Sequence, residues 1–199
     1  MPDLPPGPHV MGLPVQGRCA PALSPPPLGR AWVLPPGPES VRYARTVLAE
    51  ALTSAGVPRS AIGDAMLMVS ELATNAHQHA PDHGPHELWL YACGAPGAGP
   101  GGPSGDGPAE GLGQARCAVF DRHASARLPG YSWTSGDYGR GLSIVRELSE
   151  GRWGMLRTLS RSAPRAQGKA VWFAVPAAVR LPAELVAPPY GTVVPAPSV

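Results

Sequence analysis

The sequence predicts an α/β fold of two layers, a sandwich of a mixed β-sheet with α-helices stacked on one face. Three observations support that class. The patterned segments run strand–helix–helix–strand–strand–helix–strand–strand along the chain. Proline and glycine, 27 and 25 in number, crowd into three segments and leave a more ordinary sequence between them. The stretch so delimited, residues 31–176, is about 145 residues long, the size of one domain.

Residues 1–30 carry PPGP and SPPP with no periodicity, and are expected to form a disordered Pro-rich tail. Such a segment buries too little apolar surface to offset the entropy of ordering it. Ala31–Leu34 (AWVL) is a short apolar run ended by Pro35-Pro36, the first strand. Pro38-Glu39-Ser40 then opens a helix in which Val41, Ala44, Val47, Leu48, Ala51 and Leu52 recur at helical spacing, and Gly56 terminates it. A second helix starts near Pro58-Arg59-Ser60 and carries Ile62, Met66, Val69, Leu72 and Ala73 as apolar positions. It ends at His79 or Ala80, because Pro81 cannot continue it.

Leu88–Ala92 resembles a strand, and Ala115–Asp121 (ARCAVFD) alternates like one. Between them, residues 93–114 contain Leu112 as the only core-forming residue and are expected to be a flexible Gly/Pro insertion. Residues 122–138 form a polar loop dotted with aromatics, before Gly139-Arg140-Gly141 meets a third helix from Leu142 to about Leu148. Arg152–Leu159 and Lys169–Val175 are two further strands joined by a basic turn. Residues 177–199 return to a loose Pro-rich tail.

Charge and cysteine usage narrow the function classes. A net charge of +2 is too small to imply a nucleic-acid or membrane partner. No apolar run reaches the roughly 18 residues of a membrane span, and prolines interrupt the N-terminus where a signal peptide needs its apolar core. Cys19, Cys93 and Cys117 are odd in number and lack metal or redox spacing, which suits a reducing, cytoplasmic location. Arg152, Arg157, Arg161 and Arg165 make a basic run whose commoner explanation is a solvated face, so a nucleic-acid partner is disfavoured. Neither a P-loop nor a G-x-G-x-x-G fingerprint occurs.

Histidines cluster at His77, His79, His83 and His86. Each helical residue advances about 100°, so His77 and His79 face opposite sides and cannot share an ion from an intact helix. The same geometry lines up Glu71, Asn75 and His79 at i, i+4 and i+8. That face is either solvated, with weak i, i+4 hydrogen bonding, or lies beside the core and needs partners. A Glu accepting a proton and an Asn oxygen holding Mg²⁺ would supply them. Asp121 ends a strand and is either a turn former or an acceptor for a ligand's exocyclic amine. Gly139-Arg140-Gly141 at a helix start is a simple entry turn or a phosphate cradle.

In order, these pieces resemble the GHKL group of ATP-binding domains, shared by histidine kinases, gyrase-type ATPases and anti-sigma-factor serine kinases. Glu71-x-x-x-Asn75-x-x-x-His79 matches the N box, Val119-Phe120-Asp121 the start of the G1 box, and Gly139-Arg140-Gly141-Leu142-x-x-Val145 the G2 box. ELATNAHQHA, Asp121 to Pro129, GRGLSIV, Arg152-Trp153-Gly154 and GKAVWF most resemble the stand-alone anti-sigma-factor serine/threonine kinases and their actinobacterial ATP-binding relatives. The resemblance implies a Bergerat-type sandwich with ATP between the Glu71–His79 helix and a lid over 122–138.

It further implies that Asn75 coordinates Mg²⁺ and that Asp121 recognises the adenine amino group. Gly139 and Gly141 would present backbone N–H groups to phosphate, with Arg140 or a lid arginine adding charge and His79 and Leu142 belonging to the same boxes. Glu71 would be the general base for a partner's serine hydroxyl. The implied partners are a small anti-sigma antagonist protein and an RNA polymerase sigma factor, with no membrane, and a homodimer is compatible with the sequence. The G1 box departs from the usual D-x-G-x-G, reading Asp-Arg-His-Ala-Ser, which restricts the backbone beside the base. That departure favours the competing expectation of a non-catalytic ATP-binding regulatory module.

Overall fold

The computed structural model describes residues 29–93, 114–123, 140–178 and 193–194. Its elements are β1 (Arg30–Val33), α1 (Glu39–Ser54), α2 (Arg59–His79), β2 (Glu87–Cys93), β3 (Gln114–Asp121), α3 (Arg140–Leu148), β4 (Trp153–Leu159), β5 (Gln167–Ala178) and β6 (Val193–Val194). The strands make one sheet in the order β4-β5-β3-β2-β1-β6. The five longer strands pair antiparallel, and β6 alone runs parallel to its neighbour, so the sheet is mixed only at that edge. The architecture is the expected α/β sandwich, with all three helices contributing to one core on one sheet face. Among the described residues, no helix is long and apolar enough to cross a membrane.

Local chemistry accounts for the element ends. α1 buries Ser40, Ala44, Leu48, Ala51 and Leu52, one stripe of a 3.6-residue period. Gly56 ends it by adopting φ +72°, while its N–H reaches Thr53 O and that of Val57 reaches Leu52 O. α2 buries Ala61, Ala65, Met68, Val69, Leu72, Ala73 and Ala76. The stripe is therefore rotated from the expected one: Met66 and Ile62 are only half-buried, while Ala61, Ala65, Met68 and Ala76 join the buried face.

Alternation then sorts the strands. Trp32, Leu88, Leu90, Cys117, Val119, Val171 and Phe173 face the helices. Ala31, Trp89, Tyr91, Ala118, Phe120 and Ala170 are buried on the opposite face, where Trp89 stacks on Phe120 with centroids 5.3 Å apart. Burial pushes the Cys117 thiol far above its ordinary range, which leaves it inert.

Two differences concern the C-terminal side. β5 continues through Pro176 to Ala178 instead of ending at Val175. Pro176 lies beyond the reach of β4, whose pairing stops at Phe173, and beside the irregular register between Gln114 and Arg116. A residue without an N–H is tolerated at such a place. Val193–Val194, expected to be loose, pairs with Ala31 and Trp32. Most of both expected tails (1–28, 179–192 and 195–199), the core of the expected insertion (94–113) and most of the expected lid (124–138) lie outside the described residues.

On the sheet face away from the helices, Glu87 is fully buried at the start of β2. Its Oε2 accepts from Trp89 Nε1 (2.8 Å) and Arg161 N (2.9 Å), and its Oε1 accepts from Ser162 N (3.0 Å) and the Ser162 hydroxyl. The Arg161 guanidinium donates to Gly29 O, and burial lowers its pKa. The basic turn is thus folded inward at Arg161, and is not the uniformly solvated face expected from its composition.

Candidate functional site

α2 supplies the first half of the site. Because Leu72, Ala73 and Ala76 are pressed on the sheet, Glu71 and Asn75 emerge half-buried and His79 exposed. α3 meets this line at its first turn. A Cβ placed on Gly141 would lie 2.5 Å from Glu71 Oε2 and 3.5 Å from its Cδ, so only glycine leaves room for the carboxylate. The structure therefore brings the N-box Glu71 against the G2-box Gly141, although 70 positions separate them in sequence.

The second half is built on β3 and β5. Asp121 closes β3 on the helix face and is in direct register with Lys169. Lys169 Nζ donates to Asp121 Oδ1 at 2.8 Å, and the His123 N–H donates to the same oxygen at 2.9 Å. Lys169 also reaches His123 O at 3.3 Å, and His123 Nδ1 lies 3.3 Å from His79 O. The last contact ties the strand end to the C-terminus of α2. Gly168 permits the approach, since a Cβ there would strike the Asp121 carbonyl oxygen and the Phe120 ring.

Other expected site residues fall as follows. Arg140 is placed by its backbone as the first residue of α3, and Gly139 lies outside the described residues. Leu142 packs half-buried against the helix-side core. Of the loop histidines, His86 is buried with Nε2 3.0 Å from Ala80 O, and desolvation lowers its pKa. His83 packs its ring 4.5 Å from that of His123. Among the described residues, no three His, Cys, Asp or Glu side chains are grouped to hold a metal.

The side-chain oxygen of half-buried Asn75 is a hard donor that fits a Mg²⁺ ion sharing its coordination with phosphates and water, while Glu71, one turn earlier, is left for proton transfer. Lys169, Gly168 and His123, which pack around Asp121, were not among the site residues expected from the sequence. Two signals were available for the first two: Gly168 and Lys169 open the GKAVWF piece, and Lys169 is the only lysine in the chain.

An open antiparallel sheet, three helices on one face, a Glu–Asn helix against a glycine-opened helix and a strand-end Asp define an ATP-binding α/β sandwich of the GHKL type. The model of the histidine kinase-like ATPase domain matches residues 34–151, more than half of the chain, and the chain belongs to that family. No curated protein matches it.

Proposed function

We propose that the protein is an ATP-dependent serine/threonine kinase acting as an anti-sigma switch on a small antagonist protein, in the cytoplasm. The observation that carries this reading is the packing of Glu71 against Gly141, which sets its carboxylate between α2 and the first turn of α3. When bound, ATP would supply the phosphoryl group and Mg²⁺ would offset the phosphate charge. Asn75 would hold the metal through its side-chain oxygen, and the start of α3 would present N–H groups to phosphate. Asp121 would accept a hydrogen bond from the adenine amino group. Glu71 would take the proton from the partner's hydroxyl as that oxygen attacks the γ-phosphorus and ADP leaves.

The test is to mix the protein with Mg·ATP and candidate antagonist proteins from the same genome. Phosphate should appear on a serine or threonine of one of them. The transfer should vanish in Glu71→Ala while ATP binding persists, and transfer retained in that variant would remove the base assignment.

A second reading, a non-catalytic ATP-binding module, is favoured by the absence of glycines in the Asp-Arg-His-Ala-Ser segment that follows β3. It expects nucleotide-dependent partner binding without transfer, weakened in Asn75→Ala.

A further inference from the structure

The cross-strand partner of Asp121 is a lysine, and the pair has an arrangement that a structural ion pair does not need. Asp121 and Lys169 are 3% and 6% exposed, so both charges are almost wholly desolvated and held in one geometry. A buried ion pair contributes little net stability, because desolvation offsets most of the attraction. Stability alone therefore gives no reason for this one.

The hydrogen-bond inventory gives one. A lysine ammonium has three donors. Two are engaged, by Asp121 Oδ1 and His123 O. Asp121 Oδ1 accepts twice, from Lys169 and from the His123 N–H. Among the described residues, Asp121 Oδ2 accepts no hydrogen bond, and one ammonium hydrogen remains unspent. An acceptor and a donor thus stand side by side at the end of β3, next to the C-terminus of α2.

We propose that Lys169 is a second base-reading residue, which with Asp121 recognises the amidine edge of adenine. Oδ2 accepts from the exocyclic amino group, and the free ammonium hydrogen is donated to the adjacent ring nitrogen, N1. The assignment rests on the ATP-binding reading above and adds a specificity determinant to it. A 6-oxopurine presents the reverse pattern, a carbonyl oxygen facing the carboxylate and an N–H facing the ammonium, and is rejected twice over. One carboxylate alone reads only the amino group.

The experiment is calorimetric binding, with Mg²⁺, of ATP and two analogues to the full chain. One analogue is 1-deaza-ATP, which lacks N1, and the other is purine riboside triphosphate, which lacks the amino group. The wild type should bind each analogue roughly tenfold to a hundredfold more weakly than ATP, the loss expected for one hydrogen bond to a charged group. Lys169→Met should bind ATP and 1-deaza-ATP equally while still rejecting the purine riboside compound.

An unchanged preference for ATP over 1-deaza-ATP in Lys169→Met would overturn the assignment. Tighter ATP binding in that variant would do so as well, making Lys169 a plug. Should the unpaired Asp121 prevent folding, the double variant Lys169→Met/Asp121→Asn removes both charges. It should still lose the preference over 1-deaza-ATP, and keeping that preference overturns the proposal equally. Wild-type protein that binds no nucleotide defeats the ATP-binding reading itself. Normal ATP binding with an unchanged analogue ratio defeats only the role of Lys169.

Discussion

Gly141→Ala should separate folding from chemistry. The new Cβ would stand 2.5 Å from Glu71 Oε2, whereas ordinary contact begins near 3.4 Å, so the oxygen must retreat by about 0.9 Å. Glu71 Cδ and Cβ, at 3.5 and 3.6 Å, need not move. The carboxylate end of a flexible side chain therefore swings aside and the two helices stay in place. Gly141 is absent from the glycines with positive φ, so alanine adopts its backbone and adds about 0.5–1 kcal/mol of helix preference.

Displacing a catalytic group by about 1 Å costs on the order of a hundredfold in rate. Phosphate transfer should fall by about that factor, towards the level of Glu71→Ala, while the urea midpoint holds or rises slightly. Two results would refute the reasoning. One is an unchanged transfer rate in a folded variant. The other is a stability loss above about 1 kcal/mol, which would mean that the Cβ had forced the helices apart.

Glu87→Gln, conservative in shape, should be severe. Each carboxylate oxygen accepts two hydrogen bonds, so the amide nitrogen meets two donors in either orientation. The loss should be roughly 3–5 kcal/mol and lower the thermal midpoint by about 6–20 °C, and a change under about 1 kcal/mol would sink the network. His86 contributes a pH dependence. Burial lowers its folded pKa, so below the ordinary imidazole value of about 6.5 the unfolded chain gains a proton that the folded chain resists. Stability should fall as pH drops through that value and be regained above it. Denaturant titrations from pH 7 to about 5.5 should show the slope, and His86→Gln should flatten it.

What was legible in the sequence was whatever depends on near neighbours. Gly56 and Pro81 stop helices by local backbone chemistry, and the i, i+4 spacing of Glu71 and Asn75 puts them on one face wherever the helix packs. Pairings across the sheet were not legible. Asp121 meets Lys169 across 48 positions, and Glu87 meets Ser162 across 75. The first depends on the register of β3 on β5 and the second on where the β4–β5 turn folds over the sheet, and no periodicity encodes either. The basic run containing Arg161 has the composition of a solvated face, yet the Glu87 carboxylate holds its backbone N–H and the Gly29 carbonyl its guanidinium. Leu142 belongs to a glycine motif by position yet packs with the core, because α3 is only nine residues long and needs its apolar side chains for anchorage.

β6 has a consequence for how the molecule meets its neighbours. A sheet that ended at β1 would offer the free N–H and C=O groups of a four-residue strand to any passing extended chain. Val193–Val194 occupies that side at Ala31 and Trp32 and replaces it with an edge two residues long. An edge so short is a poor template for strand addition. Two residues from the Pro-rich C-terminal stretch thus act as a stopper on this border of the sheet, covering β1 at Ala31 and Trp32.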